Sequence, residues 1–199
     1  TNFAPGRVNS DIRMITSTDG INFANDVEIV AHDSGCSGCG DEVWPDSVFR
    51  SGNNWYLYYS GNLWNIYLAT LSSRTTVTQT VKALDLTNKI ITALAVPTTP
   101  TEVAVFLPYQ TSGAPWTTRI RTASLADPAT MSGEVGRYDI NSVGSHQLYY
   151  LDESSNQWLM FYQTSPQNVS VTNIGMMTVD VSVQADTTPP AAPTDLQAQ

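Results

Sequence analysis

The side chains best suited to chemistry crowd into one stretch, 33–46, which carries Asp33, Cys36, Cys39, Asp41, Glu42, Trp44 and Asp46. Carboxylates beside an aromatic ring suit sugar chemistry. One acid protonates the leaving oxygen, a second activates water or attacks, and the ring packs on the sugar face. Asp46 is the candidate catalytic carboxylate and Trp44 the candidate platform. The same kind of oxygen suits Ca²⁺, which takes six to eight of them, and Asp41 and Glu42 are its candidate ligands. A solvated acidic turn is the plain alternative.

Cys36 and Cys39 form a Cys-x-x-Cys set among Gly and Ser residues. A redox pair belongs where a strand enters a helix, and no helical pattern follows this one. A zinc site needs four ligands, and the two histidines, His32 and His146, are far apart in the chain. A small-loop disulfide of a secreted protein is the simplest reading, with zinc as the other. His146 is a candidate hydrogen-bond partner for a sugar, or else a structural histidine. Trp64 and Trp116 fall in loops and are candidate stacking surfaces, whereas Trp55 and Trp158 occupy matching strand positions and read as core. No phosphate loop, nucleophile elbow or His-Glu-x-x-His is present.

The elements that must position these residues follow a repeat. Ile12-Arg13-Met14-Ile15-Thr16, Ile66-Tyr67-Leu68-Ala69-Thr70, Ile120-Arg121-Thr122-Ala123-Ser124 and Ile174-Gly175-Met176-Met177-Thr178 recur at a constant interval of 54 residues. A fixed interval of this size marks one supersecondary unit used four times. Before three of the copies stand runs rich in aromatic or β-branched residues, at 55–59, 102–106 and 158–162, which read as partner strands. About four antiparallel strands in about 50 residues is the size of one β-propeller blade. The pattern predicts a half-blade at 11–33, with strands at 11–18 and 27–31 and a turn at Asp19-Gly20. Full blades are predicted at 44–87 (strands 47–50, 55–60, 65–71, 80–86), 90–140 (91–96, 102–108, 118–124, 134–140) and 143–184 (147–151, 158–163, 172–179, with a short tail at 181–183). The expected fold is all-β, an incomplete β-propeller of four-stranded antiparallel blades over 1–184. A ring needs at least four blades, so the absent strands are expected from residues upstream or from another chain.

Composition agrees with a folded domain: 41% of the 199 residues are hydrophobic and 14% charged. The net charge of −9, with only 9 scattered basic residues, argues against nucleic acid and is compatible with neutral sugars and Ca²⁺. No apolar run approaches the ~20 residues of a membrane span. The chain begins at Thr1 without a signal-peptide pattern, as a processed or excised piece does. From 185 to 199 the composition turns rich in Pro and Thr, which reads as a linker. It resembles the opening of fibronectin type III modules in secreted bacterial enzymes, which implies further domains of one parent protein.

Trp44-Pro45-Asp46-Ser47-Val48-Phe49, then Trp55-Tyr56-Leu57-Tyr58-Tyr59-Ser60-Gly61, then Ile66-Tyr67-Leu68-Ala69-Thr70 resembles glycoside hydrolase family forty-three. That family's blades often read Trp-Ala-Pro-Asp, then Gly-Lys-Tyr-Tyr-Leu-Tyr-Tyr-Ser, then Ile-Gly-x-Ala-Thr-Ser. The resemblance is good over 11–75. It implies a five-bladed propeller, secreted and extracellular, acting on arabinose- or xylose-containing polysaccharide by two-carboxylate hydrolysis. Asp46 matches the Asp that ends the Trp-Ala-Pro-Asp motif. Where the family places its other acids, this chain reads Ile91-Thr92 and Gly144-Ser145-His146. The other expectation is therefore a non-catalytic carbohydrate-binding or cell-surface scaffold propeller.

Overall fold

The computed structural model describes residues 10–32, 43–61, 65–84, 89–90, 92–110, 117–138, 142–152, 157–164 and 173–180. Among them the chain is all-β. The strands are β1 (Ile12–Ser17), β2 (Phe23–Val30), β3 (Val43–Ser51), β4 (Asn54–Gly61), β5 (Asn65–Ser73), β6 (Thr76–Leu84), β7 (Lys89–Ile90), β8 (Leu94–Thr99), β9 (Glu102–Gln110), β10 (Thr117–Ser124), β11 (Asp127–Tyr138), β12 (Ser142–Asp152), β13 (Gln157–Thr164) and β14 (Asn173–Asp180). They form four antiparallel sheets: β1-β2, β3-β4-β5-β6, β11-β10-β9 with β7 and β8 both on β9, and β12-β13-β14. No described helix is long and apolar enough to cross a membrane. The chain divides into two compact units, Thr1–Thr87 and Asn88–Gln199. The division falls where the sequence separates its first full repeat from its second.

The 54-residue interval lands on equivalent strands. Ile66, Ile120 and Ile174 lie in β5, β10 and β14, each paired to the strand that precedes it, and Ile12 opens β1. β1 pairs with the strand that follows it, β2, as β5 pairs with β6 and β10 with β11. The last expected strand, 181–183, lies outside the described residues.

In the first unit the β1-β2 ribbon lies on one face of the β3–β6 sheet. Ile12 and Val30 join Val43, Leu57, Tyr59, Tyr67, Ala69 and Leu71 in one buried cluster, with Ile29, Trp55 and Val77 at its margin. The opposite face of the sheet, carrying Phe49, Tyr56, Tyr58, Ile66 and Leu68, is buried as well. This explains why β4 and β5 read as unbroken apolar and aromatic runs, without the alternation of a half-exposed sheet. β9 behaves alike in the second unit: Val103, Ala104, Val105, Phe106 and Leu107 are all buried, although neighbours point to opposite faces.

Differences from the expected strands cluster at sheet edges. β3 starts at Val43, ahead of the expected 47, and runs through Pro45. Proline lacks an N–H, and β3 is an edge strand where no ladder bond is lost. Of the expected strand 91–96 only the later part is described as strand, in β8 (Leu94–Thr99), and the two-residue β7 (Lys89–Ile90) stands ahead of it; they meet β9 at Leu94↔Phe106 and Ile90↔Tyr109. Pro108 falls on β9 between those contacts and has no N–H to offer a neighbouring strand. β6 begins at Thr76 and β11 at Asp127, both earlier than expected. At the β3–β4 hairpin, Gly52 takes φ of 57°, which its missing side chain permits.

Two tyrosines stack across the covered face, Tyr59 on Tyr67 with ring centroids 5.4 Å apart. Burial pushes the Tyr59 hydroxyl pKa up to about 12, against a hydrogen bond with Thr80 that acts the other way. The Tyr67 hydroxyl is buried and has no hydrogen-bond partner among the described residues. A buried unpaired hydroxyl costs about 1–3 kcal/mol of desolvation. Tyr67→Phe should therefore leave stability unchanged or raise it by up to about 1 kcal/mol. Urea denaturation measures this, and a clear loss of stability would show that the hydroxyl has a partner.

Candidate functional site

Asp46 sits at a β-bulge. Pro45 pairs with Tyr59 and Ser47 with Tyr58, so Asp46 is the extra residue of β3. A bulge re-aims the side chain it carries and often marks a functional rim. Here the carboxylate turns toward the end of β4, where the Ser60 hydroxyl donates to Asp46 Oδ2 at 2.7 Å. Ser60 is buried and pairs with Trp44 on one side and Ile66 on the other. Trp44 itself is 50% exposed. The structure thus brings two of the expected residues together: a half-buried carboxylate, held by a hydroxyl, two residues from a tryptophan open to solvent.

The strand that carries them is clamped at its start. The Ser10 hydroxyl donates to the Val43 carbonyl at 3.2 Å, and the Val43 N–H lies 3.3 Å from the Ser10 carbonyl. Directly after Ser10 comes a pair the sequence did not single out, Asp11 and His32. The His32 N–H donates to Asp11 Oδ1 at 2.9 Å, and His32 Nδ1 lies 2.6 Å from the same oxygen. Hydrogen bonds from the His32 backbone and ring hold the Asp11 carboxyl below its ordinary value. The pairing Ile12↔Val30 sets these two beside each other at the open end of the ribbon. Only that register could have found them, since 21 residues separate them in the chain.

The other expected residues divide into three groups. Asp33, Asp41, Glu42, Cys36, Cys39, Trp64 and Trp116 lie outside the described residues, so the Ca²⁺, zinc and disulfide expectations on them do too. His146 lies on β12 opposite Tyr162, where the β12–β13 register is irregular. Trp55 packs at the margin of the core cluster, flanked by the guanidinium groups of Arg50 and Arg74 at 5.8 and 5.5 Å from its ring. That placement fits its reading as core. Among the described residues no group of three or more His, Cys, Asp or Glu side chains is arranged to hold a metal ion.

Asp19, by contrast, is a turn residue. Its carboxylate accepts from the N–H groups of Ile21 and Asn22, from the Asn22 amide and from the Ser17 hydroxyl, and these bonds hold its pKa far below the usual range. Gly20, with φ of 74°, completes the expected Asp19-Gly20 turn.

A search of known protein families, of curated proteins and of solved structures finds no match for this chain.

A depressed carboxyl pKa gives stability that is present above the unfolded value and lost as pH falls through the folded one. For Asp11 that loss begins near 3.8 and continues downward. Asp11→Asn should therefore flatten the acid limb of melting temperature against pH while lowering stability at neutral pH. Equal slopes in the two proteins would show that the Asp11–His32 pair contributes nothing to acid sensitivity.

Proposed function

We propose that this chain is a carbohydrate-binding module of a β-propeller lineage, secreted and extracellular, which takes arabinose- or xylose-type glycans at the rim where β3 begins. The observation that carries the reading is the bulge of β3. It sets the Asp46 carboxylate, fixed by Ser60, next to the exposed ring of Trp44. An aromatic face packs on the apolar face of a pyranose or furanose ring, and an oriented carboxylate accepts from its hydroxyls. A few convergent polar groups beside an aromatic wall are what a small-molecule site uses for orientation.

The propeller lineage draws support from three features. The 54-residue interval returns to the equivalent strand each time. The central strands of the two larger sheets are buried on both faces. The ribbon covers the next sheet face to face. A two-layer sandwich buries only one face of each sheet, whereas blades around an axis bury both. The resemblance over 44–70 to glycoside hydrolase family forty-three supports the choice of glycan.

Hydrolysis by the same residues would need a second carboxyl group about 5–10 Å from Asp46. One experiment separates binding from cleavage. Wild-type protein, Trp44→Ala and Asp46→Asn are titrated with arabinoxylan and linear arabinan by calorimetry, and each mixture is assayed for released reducing ends. Binding without release is expected, weakened about tenfold or more in each variant, the scale of a lost stacking contact or charged hydrogen bond. Absence of binding, or wild-type affinity in Trp44→Ala, contradicts the proposal. Reducing-end release that Asp46→Asn abolishes would assign catalysis instead.

A further inference from the structure

Charge is spread unevenly along the chain. From Ser47 to Leu84 there is no Asp or Glu, in a protein that has 18 of them and a net charge of −9. That stretch is most of the β3–β6 sheet, and it contains Arg50 and Arg74. Arginines elsewhere are held by oxygens: Arg13 by Asp26 and Glu28, Arg119 by Glu134, and Arg121 by the Ser132 carbonyl. Arg50 and Arg74 are different. Among the described residues no carboxylate pairs with either guanidinium, and each lies instead against the Trp55 ring.

The sheet register explains the grouping. Arg50, Trp55 and Leu71 form one row across β3, β4 and β5, so their side chains share a face. Arg74 follows in the turn between β5 and β6. Trp55 is packed on the core cluster, which fixes the ring that both cations lie against. Both arginines are exposed. Val48, two residues before Arg50 on the same face, is 61% exposed and adds apolar surface beside them. Two like charges near one ring repel each other, and no acid of β4, β5 or β6 offsets them. The contact with an indole is made through the cation's charge, and a guanidinium so placed still has its fork of N–H donors to offer an oxyanion.

We propose that Arg50 and Arg74, set on Trp55, form an anion subsite that takes the carboxylate of a uronic acid residue on an acidic glycan. The subsite lies at the far end of β3 from Asp46, about 13 Å along the strand. The anion follows from the two guanidinium groups without oxygen partners. A carboxylate suits them because its two oxygens match the planar fork. That a glycan carries it rests on the glycan reading of the Trp44–Asp46 site. The two ends of β3 then do different work. The first holds a neutral sugar against Trp44, and the second selects polymers that bear a negative charge.

Calorimetric titration at low and high salt tests this with three probes: a xylan carrying glucuronic acid, the same polymer after its carboxyl groups are reduced to alcohols, and poly-glutamate. Wild-type protein is compared with Arg50→Gln and Arg74→Gln in the full chain, and circular dichroism confirms that each variant is folded. Wild type should bind the acidic polymer about tenfold more tightly than the reduced one at low salt, the scale of a charged hydrogen bond, and salt should erase the difference. Each variant should lose most of that preference and bind the reduced polymer as wild type does. Equal wild-type affinity for the two polymers overturns the subsite and leaves the glycan site standing. A preference that both variants keep overturns it too, as does poly-glutamate bound as tightly as the acidic polymer. Arginine-dependent binding of the acidic polymer, with none of the reduced one, supports the subsite and contradicts the Trp44–Asp46 site alone.

Discussion

The structure depends on one constraint: its central strands are apolar on both sides. Tyr58, Tyr59, Tyr67, Ile66 and Leu68 in β4 and β5 are almost wholly out of water, as are Val103 to Leu107 in β9. A strand of this kind cannot end a stack. Every sheet built from it requires a cover on each face, and the ribbon supplies one such cover in the first unit. The edge strands carry the opposite chemistry. β6, for instance, presents Thr76, Thr78, Gln79 and Lys82 to solvent. Burial therefore falls from the middle of each sheet toward its edges, and the candidate site lies on one such edge.

The candidate site is a consequence of that gradient. β3 is an edge strand, so it tolerates Pro45 and a bulge that a central strand would not. The bulge frees Asp46 from the alternation of the strand, and the buried neighbour Ser60 fixes it. A rigid sheet behind a polar edge is a sound way to hold a carboxylate without a dedicated loop. The Ser10–Val43 clamp ties the ribbon to the same end of the first unit, and the Asp11–His32 pair closes the ribbon's own end beside it.

Much of the fold is legible in the sequence because the burial pattern is so strong. Ile66 and Ala69 are buried in β5, as are Ile120 and Ala123 in β10, and that shared environment is what keeps the 54-residue interval visible. The aromatic runs before them are visible for the same reason. Strand ends are less legible. The edge strands β3, β6 and β11 run longer than their apolar content implies, since backbone pairing to a central neighbour extends them. The site is legible only in part. Trp44 and Asp46 stand close in the chain and remain close in space, whereas Asp11 and His32 meet only through a hairpin register. The bulge that aims Asp46 leaves no mark in composition.

Native-state hydrogen exchange read by mass spectrometry tests the double-faced burial most directly. Amides of β4, β5, β9 and β10 should be the slowest in the chain, exchanging only through its rarest openings, with β3, β6, β8 and β11 faster. If the central strands exchange as fast as the edge strands beside them, their two faces are not both covered, and the stacked-sheet account fails.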